Sequence, residues 1–186
     1  YVPKPIDAQT LQNEDKWILA KLNDTITSVT KNLDSYEMGI AAEKVYELIW
    51  DDYCDWYIEI AKPRLADETA KQGVLDVLFH VLEQILQLLH PFMPFITEEL
   101  YQALPHTSGY IMLSAWPKAN EAFNFAQEKD NAEGVMDLIR AARNIRRELN
   151  IKGGKRATLY VVPTGNKKAP IEQADSYFAR LAYASS

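Results

Sequence analysis

Trp50-Asp51-Asp52-Tyr53-Cys54-Asp55-Trp56-Tyr57-Ile58-Glu59-Ile60-Ala61-Lys62-Pro63 is the stretch on which the reading of the fold turns. With the residues just ahead of it, Ala42, Val45, Ile49, Tyr53, Trp56 and Ile60 recur at steps of three or four, the repeat of a helix with one apolar face. The spacing predicts one helix running to about Ala61. Asp34-Ser35-Tyr36-Glu37 reads as a variant capping box at its start, and Pro63, which has no N–H to donate and crowds the preceding turn, is expected to stop it. A greasy, aromatic face of this length needs partners, and the chain offers them on both sides.

Upstream, the apolar stripe Ile18, Leu22, Ile26, Val29 and Leu33 predicts a helix from about Thr10 to Asn32, with Lys16, Lys21, Asp24 and Lys31 on its other faces. Downstream, Val74, Val77, Leu78, Val81, Leu82, Ile85, Leu88 and Leu89 mark a core helix from about Asp67–Ala70 to Leu89. His90-Pro91-Phe92-Met93-Pro94 forces a corner before a short helix, Phe95–Leu104. A loop with a short extended piece at Tyr110–Leu113 follows, and Trp116-Pro117 reads as a plug onto the bundle. Val135, Leu138, Ile139, Ala142, Ile145 and Leu149 predict a helix from about Ala126 to Leu149. Ala157–Val162 reads as a strand and Ile171–Tyr183 as a last helix. The class expected is mainly α, a helical bundle over residues 1–150 followed by an incomplete small α/β appendage over 151–186. One strand without a second cannot close a sheet, so the C-terminus reads as a cut edge, and the start, which has no initiating Met, reads as cut from something longer.

Composition narrows the chemistry. The 186 residues are 47% hydrophobic and 25% charged, ordinary for a globular chain, and no apolar run reaches the roughly 20 residues of a membrane helix. The start, Tyr-Val-Pro-Lys-Pro, lacks the pattern of a signal peptide. The single Cys54 leaves no intrachain disulfide and favours a reducing, cytoplasmic setting. His80, His90 and His106 fall on a core helix, a corner and a loop, without HExxH or CxxC spacing. Asp51, Asp52, Asp55 and Glu59 line one helix face, where a solvated or Arg-paired role is favoured over an acid and base pair. No catalytic residue and no metal site are expected.

The net charge of −6 hides an asymmetry. Residues 1–139 carry 10 Lys and Arg against 23 Asp and Glu; residues 140–168 carry 9 against 1. An acidic body with one concentrated basic segment points to a polyanion met at one place. Arg140, Arg143 and Arg147 share a helix face opposite the apolar stripe and are the first candidates for phosphate contacts. Lys152, Lys155 and Arg156 follow as secondary ones, Lys167 and Lys168 extend the run, and Lys16 and Lys21 are outlying candidates. Arg146 falls at the stripe's edge, where a carboxylate partner is expected. Tyr36, Tyr53 and Tyr57 are candidate base-stacking rings that could equally be core.

Several segments resemble one family. Asp15-Lys16-Trp17-Ile18-Leu19-Ala20-Lys21-Leu22-Asn23 resembles the segment with which the anticodon-binding bundle continues in the class I aminoacyl-tRNA synthetases for valine, isoleucine and leucine. Asp55-Trp56-Tyr57-Ile58-Glu59 with Lys62-Pro63 is similar to the version in the valyl-tRNA synthetase family, as are Met112–Pro117 and Ile139-Arg140 through Arg143-Asn144-Ile145-Arg146 and Glu148. His90-Pro91-Phe92-Met93-Pro94-Phe95-Ile96-Thr97-Glu98-Glu99-Leu100 resembles a segment shared by the group. The resemblance implies a non-catalytic, anticodon-binding part of a ligase that charges valine-accepting tRNA, with ATP and Mg2+ used elsewhere in the full-length enzyme and no cofactor here. It implies tRNA and the remaining synthetase domains as partners and a monomer in the cytoplasm. The HIGH and KMSKS motifs, the family's preceding bundle helix and its coiled-coil arm have no counterpart in these residues. Alternatives are the same region of the isoleucyl-tRNA synthetase family, a helical protein-interaction module, and a metal hydrolase built on Asp55, Glu59 and a His.

Overall fold

The computed structural model describes residues 1–105, 109–151, 155–162 and 168–185, which form two compact units, Tyr1–Ala126 and Gln127–Ser186. In the first unit α1 (Asn13–Asp34) packs on α2 (Met38–Glu47), on the π-helical segment that continues it (Leu48–Ile58) and on α4 (Lys71–Leu89). α3 (Glu59–Leu65) and α5 (Pro94–Gln102) also lie against α4. The core is built from Trp17, Ile18, Leu19, Leu22, Ile26 and Val29 of α1, from Val74, Val77, Val81, Ile85 and Leu88 of α4, and from Val45, Leu48, Tyr53, Trp56 and Tyr57 between them. Each such side chain contributes about 1.5–3 kcal/mol through removal from water. α4 has the length and composition of a membrane-crossing helix. Its Val74, Val77, Val81, Ile85 and Leu88 are instead core side chains of this bundle.

The central helix keeps Val45, Tyr53, Trp56 and Ile60 of the predicted stripe in the core and departs from it at Ala42 and Ile49. Ala41, Val45, Leu48, Tyr53 and Tyr57 are buried, with a step of five between Leu48 and Tyr53. Ala42 and Ile49 stand to one side, half-buried. A five-residue step is what a π-helical ladder imposes, since each amide reaches one carbonyl further back. The helix also runs through Pro63 to Leu65 rather than stopping at Ala61. Proline forfeits a donor and crowds the carbonyl four residues back, Glu59, which is the first residue after the π-helical segment.

Asp34–Glu37 ends the first helix, and Glu37, the N-cap residue of α2, makes no side-chain capping bond there. Tyr36 N–H donates to Leu33 O (3.0 Å) and Glu37 N–H to Asn32 O (2.8 Å), the paired bonds of a Schellman stop. This requires a left-handed residue, and Tyr36 occupies that place at φ 60°, where a side chain costs about 1–2 kcal/mol. Its ring is 87% exposed, so no packing repays the strain. Tyr36→Gly is therefore expected to raise stability by about 0.5–1 kcal/mol, after the extra chain entropy of glycine is deducted. A urea midpoint that moves downward would contradict this.

A buried ionic cluster ties the start of α1 to the end of α3. The Arg64 guanidinium grips Asp15 with two bonds of 2.8 Å and reaches Glu14 Oε1 at 2.9 Å. The Tyr57 hydroxyl donates to Asp15 Oδ1 at 2.7 Å, and the Gln12 N–H to Asp15 Oδ2 at 3.0 Å. Burial draws the Arg64 pKa down, yet the hydrogen bonds and charges of Asp15 and Glu14 outweigh it, and the net shift is upward. Burial, then the adjoining Asp15 charge, lifts the Tyr57 phenol well above its usual range, so it stays a donor. A second anchor holds the N-terminal arm: buried Asp76 accepts from Tyr1 Oη (2.7 Å), Lys4 N–H (2.9 Å) and Gln72 Nε2 (2.9 Å).

The proline corner is fastened by His90 Nδ1 and the Thr97 hydroxyl, 2.7 Å apart, with that hydroxyl also bonded to Met93 O at 2.8 Å. Tyr110–Leu113, expected as extended chain, instead forms a 3-10 turn at Ile111–Leu113, because Ile111 must turn inward to join Leu86 and Tyr101. Trp116 is fixed as expected, its Nε1 donating to Thr30 Oγ1 at 2.9 Å, and Asn120 and Asn23 exchange two bonds of 2.7 and 2.9 Å.

The second unit holds α6 (Ala126–Glu148) from Gln127 onward, β1 (Ala157–Thr158), α7 (Lys168–Glu172), α8 (Asp175–Leu181) and β2 (Ala184–Ser185). The expected lone strand does have a partner: β1 and β2 pair in parallel, Ala157 opposite Ala184 and Thr158 opposite Ser185. The helical connection between them is what a parallel pair requires. Pairing stops at Thr158, short of the Ala157–Val162 strand that was expected, and the predicted last helix is broken into α7 and α8 at Gln173-Ala174. Ala174, Phe178, Leu181 and Ala182 are the buried side of that crossover.

Candidate nucleic-acid interface

α6 carries the basic end of the chain. Val135, Met136, Ile139 and Ala142 are buried, while Ile145 and Leu149, expected on the same stripe, are exposed. Arg140, Arg143 and Arg147 all lie in the exposed class, at steps of three and four that keep them on one side. Arg140 Nη1 meets Asp137 Oδ1 at 2.8 Å, Arg143 Nε donates to Leu181 O at 2.7 Å, and Arg147 Nη2 to Asn144 Oδ1 at 3.3 Å. The Arg140 pair is a solvent-exposed bridge three residues apart, a kind of contact worth little and readily exchanged.

Arg146 behaves differently from its expectation. In place of a bundle carboxylate it donates to the Lys155 carbonyl, and its guanidinium lies 5.7 Å from the centre of the Tyr183 ring. It turns the chain after α6 back toward the helix end, because the partner within reach is a carbonyl of the following loop. That end is a Schellman-type stop, with Asn150 at φ 51° and Ile151 N–H on Arg146 O at 2.9 Å. Lys155 and Arg156 are exposed close by in sequence. Cations at a helix C-terminus are favoured by the carbonyl ends of the helix. Lys152 and Lys167 lie outside the described residues, and of Lys168 the structure describes the backbone position at the start of α7.

The outlying candidates belong to the first unit and are engaged there. Lys16 Nζ sits 5.5 Å above the Phe125 ring, and Lys21 Nζ is 3.2 Å from Asp52 Oδ2. Of the three tyrosines considered for stacking, Tyr53 and Tyr57 are core and Tyr36 alone is open to solvent. On the acidic side of the central helix Asp55 is exposed and Glu59 is bridged to Lys62. Among the described residues no group of three or more His, Cys, Asp or Glu could hold a metal ion. His80 is half-buried beside the Phe123 ring, and that burial lowers its pKa.

Sequence comparison says to what class such a bundle belongs. The chain belongs to the anticodon-binding domain family of tRNA ligases, whose family model matches residues 15–161. Relatives that it matches include valine-tRNA ligases. It is 40% identical to that of Clostridium acetobutylicum over 182 residues, covering 97% of this chain and 21% of the relative. It is 47% identical to that of Bacillus cereus over 149 residues (79% and 17%) and 44% identical to that of Carboxydothermus hydrogenoformans over 167 residues (87% and 19%). The chain thus spans about a fifth of the length of these relatives.

The segments that carry the family likeness turn out to be mostly structural. Asp15 and Tyr57 are inside the buried ionic cluster, Trp17, Ile18, Leu19 and Leu22 are core, and His90 and Thr97 close the proline corner. Sequence reading missed Arg64 and Glu14, which complete that cluster. A buried carboxylate opposite a tyrosine would have called for a cation, but nothing in the spacing says which one.

Proposed function

We propose that this chain is the anticodon-binding part of a valine-tRNA ligase, and that it contributes recognition of tRNA and no chemical step. The observation that carries the reading is the family match over residues 15–161 together with the identity to valine-tRNA ligases. The exposed arginines of α6 support it, because guanidinium groups on one helix face suit a phosphate backbone. Arg140, Arg143 and Arg147 are the principal phosphate contacts, Lys152, Lys155 and Arg156 secondary ones, and Lys16 and Lys21 take part only by leaving their present partners. Valine activation with ATP and Mg2+ belongs to other parts of the ligase, and no residue here is assigned to either. The setting is a cytoplasmic synthetase acting as a monomer.

The test is binding of the chain to a valine tRNA and to the same tRNA with a changed anticodon, at low and at physiological salt. Binding that weakens with salt is expected for both. A preference for the valine anticodon would locate base-reading residues within residues 1–186. Absence of tRNA binding at low salt would overturn the proposal.

A further inference from the structure

We infer that one flank of α2 and the π-helical segment is an interdomain docking face, covered by a basic amphipathic helix from another part of the same ligase polypeptide. This rests on the reading of the chain as part of a longer ligase. α2 is apolar on two adjoining sides. Ala41, Val45 and Leu48 are buried in the bundle. Met38, Ala42, Tyr46, Ile49 and Trp50 make a second stripe at near-helical steps, and of these Met38, Tyr46 and Trp50 are half exposed or more. The Tyr46 and Trp50 rings lie nearly parallel, with centroids 6.5 Å apart and planes at 14°. A solvated helix side has no use for such a row.

The charges beside it select the occupant. Glu43, Glu47 and Asp51 lie beside the stripe, and the cation among them, Lys44, is bound to Glu47 at 2.7 Å. RNA phosphates would meet carboxylates. A twofold-related second copy would bring the same acids face to face. The complement is a helix with apolar anchors at i, i+3 or i+4 and i+7 flanked by Lys or Arg. Its source follows from size. The flank from Met38 to Trp50 is roughly 18 Å long and 10 Å wide, far below the approximately 800 Å² per side of a free-standing complex. A tethered segment has no such requirement, because its effective concentration is high. The matched relatives hold about four fifths of their length outside the region aligned here.

The experiment places Met38→Cys in a Cys54→Ala background and compares its alkylation by iodoacetamide in the 186-residue chain and in the full-length ligase without tRNA. At least a tenfold slower reaction in the full-length protein is expected. Equal rates overturn the proposal, as does protection that appears only when tRNA is added, or that grows with concentration of the 186-residue chain alone. Zero-length carbodiimide cross-linking of the unsubstituted full-length ligase is the second readout: Glu43 or Glu47 should join a lysine outside residues 1–186, and capture of Lys44 alone counts against the docked helix. Either negative result leaves the tRNA-binding test untouched, so the two readings fail separately.

Discussion

Asp15→Ala should lower the stability of the first unit by about 3 kcal/mol, at the lower end of the cost of breaking a buried ion pair, with the thermal midpoint falling by roughly 10 °C. Asp15 is only 1% exposed and accepts four bonds, two from Arg64 and one each from Tyr57 and Gln12. Its removal leaves a half-buried guanidinium and a buried phenol without their main acceptor. The estimate sits at the lower end because Glu14 remains 2.9 Å from Arg64. Arg64→Leu placed on top should cost much less than Arg64→Leu alone, since the charge that lacked a partner has gone. Additive losses in that double-mutant cycle would show that the two side chains are not coupled, contrary to the geometry. The effect matters for function because the cluster joins the beginning of α1 to the far end of α3.

Reversing Arg140, Arg143 and Arg147 to Glu should weaken tRNA binding about 100-fold and reduce the magnitude of the salt slope by about 2–3, close to one for each lost phosphate contact. The loss should be the same for tRNAs of any anticodon, because phosphates carry no sequence. Arg146→Ala is the internal control. Its guanidinium is spent on the Lys155 carbonyl and the Tyr183 ring, so it should loosen the turn after α6 and leave the slope unchanged. A slope unaffected by the triple reversal would remove these arginines from the interface.

Much of the helical layout could be read directly. The apolar steps along Val74 to Leu89 and the start at Ala126 gave helices within a few residues of their observed ends, because in both the burial repeat is that of an ordinary α-helix. The prolines of residues 91 and 94 made the corner visible for an equally local reason. The Asp34–Glu37 turn was misread because an acid three residues from an acid suits a helix start as well as a stop, and the choice was made by the Asn32 and Leu33 carbonyls needing donors. The π-helical segment was invisible to a search for steps of three and four.

By itself the sequence determined the class of the fold, the concentration of positive charge between residues 140 and 168, and the family likeness, since each is a property of neighbours along the chain. Tertiary structure alone decided which family-like residues are buried. It brought Asp15 to Tyr57 and Arg64 across 42 and 49 positions, paired β1 with β2, and left Tyr46 and Trp50 on the surface. The reason is that periodicity tells which side of a helix is apolar, while only packing in three dimensions decides which apolar side is covered and which charge is taken out of water.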